Sequence, residues 1–328
     1  MIRRRLPILF AALLAWSTAA SASEPIELAL DWIPGGNHAP IYYALAQGWY
    51  EAAGLAVTIE TGKGSAASSQ AVGFGKNPAG IADFGTSLVA IGKGAKLVAV
   101  MAIYENAPFT IYWLNSSGIR SVKDLAGRSI GNPPGDAARV MWPALAKASG
   151  LAPDAVRWVN IAPQAKLSAL KSRAVDAMTD NYNGHDLKVH ELGDDMGYQL
   201  FRDVGLNPHG HTVIVNADYL AAHRDAVARF VRVTQKAYAA CLPDGRPCVE
   251  ALLSANSGLQ LQEHLDQWQR TKELMRDDYA HDVALGGFDP QRMAADYTLI
   301  ETYFKLETPF EIDHAYTNAF LDRTVKMP

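Results

Sequence analysis

Short apolar segments alternate with helix-forming segments in two successive series, and this alternation restricts the chain to an α/β fold. In the first series, strand patterns at residues 26–31 and 56–60 enclose a helical pattern at 40–47. In the second series, strand patterns lie at 109–114 and 129–131, and a further helical pattern follows them. A strand, a helix and a strand at this spacing predict parallel βαβ units.

The remaining patterns complete two α/β lobes and a helical tail. Strands are predicted at 81–84, 97–103, 156–161, 174–178, 198–204 and 212–215, and helices at 65–72, 136–149, 165–171, 217–240, 249–254, 260–277 and 290–304. Pro143 lies inside one helical pattern and predicts a kink or a late start there. Because 328 residues exceed what one compact core usually holds, we expect two lobes that face each other.

The N-terminus has the features of a secretory signal peptide. Three arginines within residues 1–5 precede an apolar stretch at 6–16 that is too short to span a bilayer. Ala20 and Ala22 then supply the small residues that a signal peptidase needs, so we predict cleavage after Ala22. An uncleaved anchor is the alternative. No cysteine lies directly after the apolar stretch, where a lipid would be attached, so we expect export without a lipid anchor.

Charge and cysteine content exclude several classes of protein. The formal net charge is −4 and no basic tract is present, so we expect no nucleic-acid partner. Cys241 and Cys248 enclose a turn-rich segment, which favours a local disulfide over two free thiols in an oxidising compartment.

A first candidate binding cluster lies directly after the first predicted strand. In open α/β sheets, ligands bind beyond the carboxyl ends of the strands. At that place Trp32 offers a flat apolar face, while Asn37 and His38 offer directed hydrogen bonds. The same residues also suit a core tryptophan followed by a turn and a helix cap, and the sequence leaves both interpretations open.

Other candidates also lie at the ends of strands or the starts of helices. Ser65 and Asp136 open helices, where a ligand's negative group is stabilised, although plain helix capping explains them equally well. Tyr104 and Glu105 follow a long apolar strand, where a hinge loop is the alternative. A third cluster follows the strand at 174–178 and contains Asn181, Tyr182 and Asp186, for which a solvated loop is the alternative.

No catalytic or metal centre is predicted. His209 and His211 would point to the same face of a strand, but no third ligand lies near them. No acid, base and nucleophile assemble into a catalytic set in the sequence. We therefore expect neither a cofactor nor a catalytic residue.

Four segments resemble a known family. They are the Asp-Trp-x-Pro-x-x-Asn-His run at 31–38, the Tyr-x-Ala…Gly-Leu segment at 42–55, the Gly-x-Ala-Asp-Phe-Gly-Thr run at 80–86 and the segment 121–128. Together they are similar to the periplasmic solute-binding proteins of ABC importers, in the group that binds sulfonates, taurine, nitrate, riboflavin and thiamine-pyrimidine precursors. The resemblance covers nearly all of the chain after residue 22.

The resemblance implies a type II periplasmic binding protein with mixed, mainly parallel sheets flanked by helices. Lobe I would comprise residues 23–112 and 212–328, and lobe II residues 113–211. The 31–38 run is most similar to the pyrimidine-binding branch, which implies that Trp32 stacks on a ring and that Asn37 and His38 contact its polar edge. Asp83, within the 80–86 run, is implied as a further contact.

The same branch has a tyrosine followed four residues later by glutamate. Tyr182 and Asp186 match those positions, although the acid here is one methylene shorter. A related yeast-type pyrimidine synthase needs a cysteine-rich iron-binding motif, and this chain has only two cysteines.

The expected function is that of a monomeric, periplasmic receptor that passes a small planar solute to an ABC permease. The solute would lie between Trp32 and Tyr182 while the lobes close around it. Two alternatives remain at this point: a receptor for a sulfonate, nitrate or aromatic acid, and an exported pyrimidine-processing enzyme.

Overall fold

Ten strands form two five-stranded sheets in the computed structural model, which describes residues 23–328. The first sheet contains β1 (Glu24–Ala29), β2 (Leu55–Glu60), β3 (Ala79–Asp83), β4 (Leu97–Ala102) and β10 (His211–Asn216). The second contains β5 (Phe109–Leu114), β6 (Ser129–Gly131), β7 (Arg157–Val159), β8 (Ala177–Asn181) and β9 (Met196–Leu200).

The two sheets have the same topology. The first has the order β2-β1-β3-β10-β4, and the second has the order β7-β6-β8-β5-β9. In each sheet the first three strands are parallel, and the fourth is antiparallel to both of its neighbours. Four of five strands therefore share one direction, and the prediction of mixed, mainly parallel sheets is confirmed.

Fourteen helices surround the sheets in the described residues. They are α1 (Ala39–Ala46), α2 (Trp49–Ala52), α3 (Ser65–Gly73), α4 (Phe84–Ile91), α5 (Ala137–Val140), α6 (Trp142–Ala148), α7 (Lys166–Lys171), α8 (His185–Leu192), α9 (Ala217–Ala222), α10 (Arg224–Cys241), α11 (Arg246–Ala255), α12 (Leu261–Leu274), α13 (Asp278–Asp282) and α14 (Pro290–Tyr303). Short 3₁₀ turns connect several of them, including one at Tyr182–Gly184 directly before α8.

Two connections carry the chain between the sheets. It leaves the first sheet after β4 and returns to it before β10, and the two connections hydrogen-bond to each other where the Gly210 amide donates to the Tyr104 carbonyl at 2.9 Å. Strand β5 belongs wholly to the second sheet, whereas the expected boundary at residue 112 lies inside it. We propose that lobe II begins between β4 and β5.

Buried apolar side chains tie the helical tail to both sheets. Phe230 of α10 and Val249 of α11 belong to the core of the first sheet. Met293 and Ile300 of α14 lie in a second core, which also contains Phe109 and Trp113 of the second sheet. Because this core extends across the two connections, the tail reinforces the junction between the lobes.

Several predicted elements differ from the structure in their bounds, and three differ in type or continuity. The helix expected at 136–149 is divided at Met141, just before Pro143. Proline lacks a backbone amide hydrogen and its ring clashes with the preceding turn, so it is accommodated only in the first turn of the second helix. The strand expected at 198–204 is wrong in its second half, since residues 201–204 form a 3₁₀ turn that ends at Gly205 in a left-handed conformation. The helix expected at 217–240 is interrupted at His223, which is not helical.

No helix among the described residues has the length and apolarity needed to cross a membrane. The predicted signal peptide at residues 1–22 lies outside the described residues.

The predicted disulfide is confirmed. Cys241 ends α10, Cys248 lies in the first turn of α11, and the two are bonded across the intervening loop. Both half-cystines are buried in the core of the first sheet. The bond therefore fixes the angle between two helices that cover that sheet.

Replacing both cysteines with serine should lower the free energy of unfolding by about 2 kcal/mol, because the bond closes only a short loop in the unfolded chain. Urea unfolding with and without reductant measures this. Reductant should destabilise the parent protein by a similar amount and leave the double variant unchanged. Equal stability of the two proteins would show that the bond contributes nothing.

Candidate functional site

A cavity of about 340 Å³ lies between the two sheets. This volume is within the range of about 300–1,000 Å³ that small-molecule sites occupy. Its walls come from the segments after β1 and β8, from the starts of α3, α5 and α7, and from the start of α12. The polar and aromatic lining residues are Asp31, Trp32, Asn37, Ser65, Asp136, Gln164, Lys166, Asp180, Asn181, Asn183, Lys188, His211, Gln260, Glu263, His264 and Gln267.

A buried carboxylate with two histidines forms the wall on the side of the first sheet. Asp31 Oδ1 lies 2.8 Å from His38 Nε2, and Asp31 Oδ2 lies 3.4 Å from His211 Nε2. The Gly35 amide donates to His38 Nδ1, so we assign the His38 proton to Nε2, which donates to Asp31. Burial opposes ionisation of Asp31, but His211 and His38 outweigh it and hold the pKa below its usual value. Burial lowers the pKa of His211, which favours the neutral form of its ring.

Four charged groups on the side of the second sheet neutralise one another. The Lys166 ammonium donates to Asp136 Oδ2 at 3.2 Å, to Asp180 Oδ1 at 3.4 Å and to the Thr179 carbonyl at 2.9 Å. Lys188 Nζ lies 2.5 Å from Asp180 Oδ2. Burial opposes the charge on Asp180, but Lys166 and Lys188 hold the pKa well below its usual range. Both lysines are therefore committed to carboxylates of the protein.

Trp32 presents its indole to the cavity, and Lys166 reaches it from the opposite wall. The Lys166 Nζ atom lies 4.8 Å from the centre of the Trp32 ring, which is a cation–π distance. Trp32 follows β1 and Lys166 begins α7, so this contact joins the two sides of the cavity. A second such contact is the hydrogen bond from Asn183 Nδ2 to Asn37 Oδ1 at 3.4 Å.

The helix starts at the cavity are already partly capped. Asp136 accepts hydrogen bonds from the amides of Ala138 and Arg139 in α5. In α3 the Ala66 amide donates to the Gly135 carbonyl from the facing wall at 3.3 Å. Ser65 Oγ accepts from the Asp83 amide at 3.0 Å, which leaves its hydroxyl proton available to a ligand.

Carboxylates outnumber cations around the cavity. Its lining includes the four acids Asp31, Asp136, Asp180 and Glu263, against the lysines Lys166 and Lys188. The resulting negative potential favours ligand groups that donate hydrogen bonds over ligand anions.

Five of the residues predicted from the sequence line this cavity: Trp32, Asn37, Ser65, Asp136 and Asn181. Asn181 Nδ2 lies 3.2 Å from His211 Nε2 and so helps to orient that ring. The structure brings these five together from four separate segments, each at the end of a strand or the start of a helix.

Four predicted residues do not line the cavity. His38 holds Asp31, and Tyr104 stacks on His211 with ring centres 4.5 Å apart. Asp83 caps α4 by accepting from the Thr86 amide at 2.7 Å. Glu105 is buried beside His209.

Tyr182 and Asp186 do not line the cavity, and the expected stacking of a solute between Trp32 and Tyr182 is absent from this arrangement. Guanidinium groups cover both residues. Arg202 and Arg270 lie 5.0 Å and 5.3 Å from the centre of the Tyr182 ring, and Arg270 pairs with the Asp186 carboxylate.

Several lining residues were not assigned from the sequence. Asp31 and His211 belong to motifs that the sequence showed, and Asp180 directly precedes the cluster that begins at Asn181. Their positions at the ends of strands were the available signal. Lys166 and the α12 residues Glu263, His264 and Gln267 gave no signal. The α12 residues reach the cavity because α12 packs against Gly36, whose amide donates to Gln267 Oε1 at 2.8 Å. Lys166 reaches it from the start of α7.

No cluster of metal-ligating side chains occurs within residues 23–328. The arrangement supplies a stacking surface, a buried carboxylate and several amide and hydroxyl groups, which suit non-covalent binding.

Comparison with known families identifies one match. A family model described as "NMT1/THI5 like" matches residues 36–245, which is more than half of the chain.

Three characterised proteins have related sequences. The formylaminopyrimidine-binding protein of Halalkalibacterium halodurans is 26% identical over 238 residues, which cover 71% of this chain and 72% of that protein. The riboflavin-binding protein RibY of Chloroflexus aurantiacus is 24% identical, with coverage of 91% and 86%. A 4-amino-5-hydroxymethyl-2-methylpyrimidine phosphate synthase of Legionella pneumophila is 21% identical, with coverage of 93% and 95%.

Solved structures share the fold. A protein of Bordetella bronchiseptica superposes with a TM-score of 0.73 at 19% identity and covers 92% of this chain and 96% of its own. The alkanesulfonate-binding protein SsuA of Xanthomonas axonopodis gives 0.69 at 15% identity, with coverage of 90% and 99%. A Candida albicans protein with the generic periplasmic binding protein fold gives 0.65 at 14% identity, with coverage of 90% and 96%.

A buried ionic network lies where the two connections between the sheets meet. His209 Nδ1 is 2.6 Å from Asp296 Oδ2, and His209 Nε2 is 3.3 Å from Glu105 Oε2. Burial opposes the charged form of His209, but Asp296 and Glu105 outweigh it and raise the pKa to about 9. The network therefore links both connections to α14.

The free energy of unfolding should fall as the pH rises from 6.5 to 9. The folded protein retains the His209 proton between pH 6.5 and pH 9, whereas the unfolded chain releases it, so the free energy of unfolding should fall by on the order of 3 kcal/mol. Urea unfolding at both pH values measures the difference. His209→Gln should reduce this pH dependence, and replacement of the exposed His281 with glutamine should preserve it. An unchanged pH dependence in His209→Gln would contradict the assignment.

Proposed function

Since the chain belongs to the NMT1/THI5-like family, we propose that it is the solute receptor of an ABC importer and binds a small planar heterocycle between its two lobes. The heterocycle is of the thiamine-pyrimidine or flavin type, and the protein releases it without altering it chemically. The receptor acts as an exported, periplasmic monomer that delivers its solute to a membrane permease.

The relatives support this class of ligand. Two of them are named for binding a formylaminopyrimidine and riboflavin, which are both flat, nitrogen-rich ring systems. A stacking residue is the main requirement for such a ligand, and Trp32 is the aromatic residue of the cavity wall that meets it.

The single observation that carries the proposal is the combination of the Trp32 face with an excess of carboxylates. A ring that stacks on the indole loses water from its face, and its amino groups find acceptors in the surrounding wall. Ser65 and Asn181 supply donors for ring nitrogens or carbonyl groups. In such a site the indole stacks on the face of a planar ligand, and hydrogen bonds to the polar edge of the ring fix its orientation.

The same charges disfavour the anionic alternative. A sulfonate, a nitrate or an aromatic carboxylate needs a free cation or a free helix start. Lys166 and Lys188 are already paired with carboxylates, and Asp136 occupies the first amides of α5. An anion would therefore have to displace a protein carboxylate or accept the negative potential of the cavity.

The enzymatic alternative rests on the relative that is named as a synthase. Both cysteines of this chain are joined in the disulfide, so neither is available as an iron ligand. Incubation with a bound pyrimidine followed by mass spectrometry tests turnover, and we expect the ligand to be recovered intact.

Replacing Trp32 with alanine should weaken binding of the cognate heterocycle at least tenfold, because the ring would lose its stacking surface. Isothermal titration with an aminopyrimidine and with riboflavin measures this. Trp158→Ala is the matched control, since that indole lies outside the cavity wall. If neither compound binds the parent protein, or if Trp32→Ala binds as tightly as the parent, the proposal is wrong.

The variant Asp31→Asn distinguishes a heterocyclic ligand from an anionic one. Removing this buried charge should weaken an aminopyrimidine about tenfold or more, from the roughly 1.5–3 kcal/mol of a charged hydrogen bond. An alkanesulfonate should bind the variant at least as well as the parent. Glu27→Gln is the control, because Glu27 is an exposed acid on β1, the strand that precedes Asp31. The reverse order of affinities would favour the anionic ligand.

A further inference from the structure

We propose that Arg270 and Asp186 form a latch that holds the two lobes closed and sets how long the solute is retained. The proposal rests on the proposed function, since it concerns release from the same cavity. It gives the Tyr182–Asp186 segment a different role from the one expected from the sequence, because this segment binds an arginine side chain of the protein itself.

The geometry is that of a bidentate ion pair. Arg270 Nε donates to Asp186 Oδ2 at 2.8 Å, and Arg270 Nη2 donates to Asp186 Oδ1 at 2.8 Å. Arg270 Nη1 also donates to the Tyr182 hydroxyl at 3.2 Å. Two parallel charge-assisted hydrogen bonds fix the guanidinium in direction as well as in distance.

Tyr182 completes the docking surface for this guanidinium. The guanidinium carbons of Arg270 and of Arg202, which belongs to the second lobe, lie 5.3 Å and 5.0 Å from the centre of its ring. The tyrosine and the aspartate are four residues apart, across the 3₁₀ turn and the start of α8, so they form one local surface. Arg202 is close to Tyr182 in the chain, whereas Arg270 comes from α12.

The latch joins opposite sides of the cavity. Asp186 belongs to α8, which follows β8 of the second sheet, whereas α12 is anchored to the first lobe through Gln267 and Gly36. Apart from the pairs of His209 in the connections between the sheets, it is the ion pair among residues 23–328 that joins the side of the first sheet to the side of the second. The other crossing contacts, such as Asn183 with Asn37 and Lys166 with Trp32, involve no pair of opposite charges.

The position and exposure of the pair suit a latch that opens. Asn183, Gly184 and Leu187 of the same segment line the cavity, so movement of this segment changes the cavity wall. The side chains of Arg270 and Asp186 are 26% and 33% exposed, so water reaches them when they separate. Hydrogen bonding to Arg270 lowers the pKa of Asp186, which keeps the carboxylate charged at neutral pH. Breaking the pair thus removes a stabilising contact of the closed form alone.

The dissociation rate of the solute tests the latch. In stopped-flow displacement of bound aminopyrimidine or riboflavin, Arg270→Gln and Asp186→Asn should each dissociate about 3- to 10-fold faster, within the range of a partly exposed bidentate pair. The double variant should be no faster than either single variant. The reversed pair, Arg270→Asp with Asp186→Arg, should recover part of the lost retention.

Glu273→Gln is the matched control. Glu273 pairs with Arg270 within α12 and does not cross the cavity, so its loss should leave the dissociation rate within twofold of the parent. Unchanged dissociation in both single variants, or additive effects in the double variant, would overturn the latch. Thermal unfolding of each variant separates loss of the latch from loss of the fold.

A measurement without solute distinguishes failure of the latch from failure of the proposed function. Spin labels at the exposed positions Phe74 and Val189 report the distance between the lobes by pulsed electron paramagnetic resonance. Arg270→Gln should lower the population with the shorter distance, whether or not any heterocycle binds. An identical distance distribution in parent and variant would reject the latch, and absence of heterocycle binding by the parent would reject only the proposed function.

Discussion

The two connections between the sheets are the constraint on which the site depends. Each sheet has three parallel strands beside one antiparallel strand, so the carboxyl ends of β1 and β3 lie together, as do those of β6 and β8. Because the chain crosses between the sheets twice, these two edges face each other across one cavity. The buried pair of His209 and Asp296 ties the returning connection to α14, and so maintains the junction about which the lobes would move.

Charge compensation decides what the cavity can bind. A buried lysine is costly unless it has partners, and Lys166 has them in Asp136, Asp180 and a backbone carbonyl. The same pairing that makes this lysine tolerable withdraws it from any anionic ligand. The cavity is thus polar and rich in charge, yet its two lysines are paired with carboxylates of the protein.

The sequence predicted the elements more reliably than the contacts. Strand periodicity, glycine stops and the helix break expected at Pro143 are local signals, so most strands and helices were found within a few residues. Trp32 and Asp136 were also found, because ligand sites in such folds lie at strand ends and helix starts. Lys166 and Gln267 were not, since the tertiary packing that brings α7 and α12 to the cavity leaves no mark in the local sequence.

The Tyr182–Asp186 pair shows why residue type alone does not identify a ligand contact. An aromatic ring beside a carboxylate recognises a planar group that carries several hydrogen-bond donors. An aminopyrimidine has this chemistry, and so does a guanidinium. In the folded chain Arg270 occupies the pair, because an arginine of the same molecule has a high effective concentration there compared with a solute. An acid near a cavity therefore contacts the solute only if no arginine of the protein reaches it, and that depends on tertiary packing.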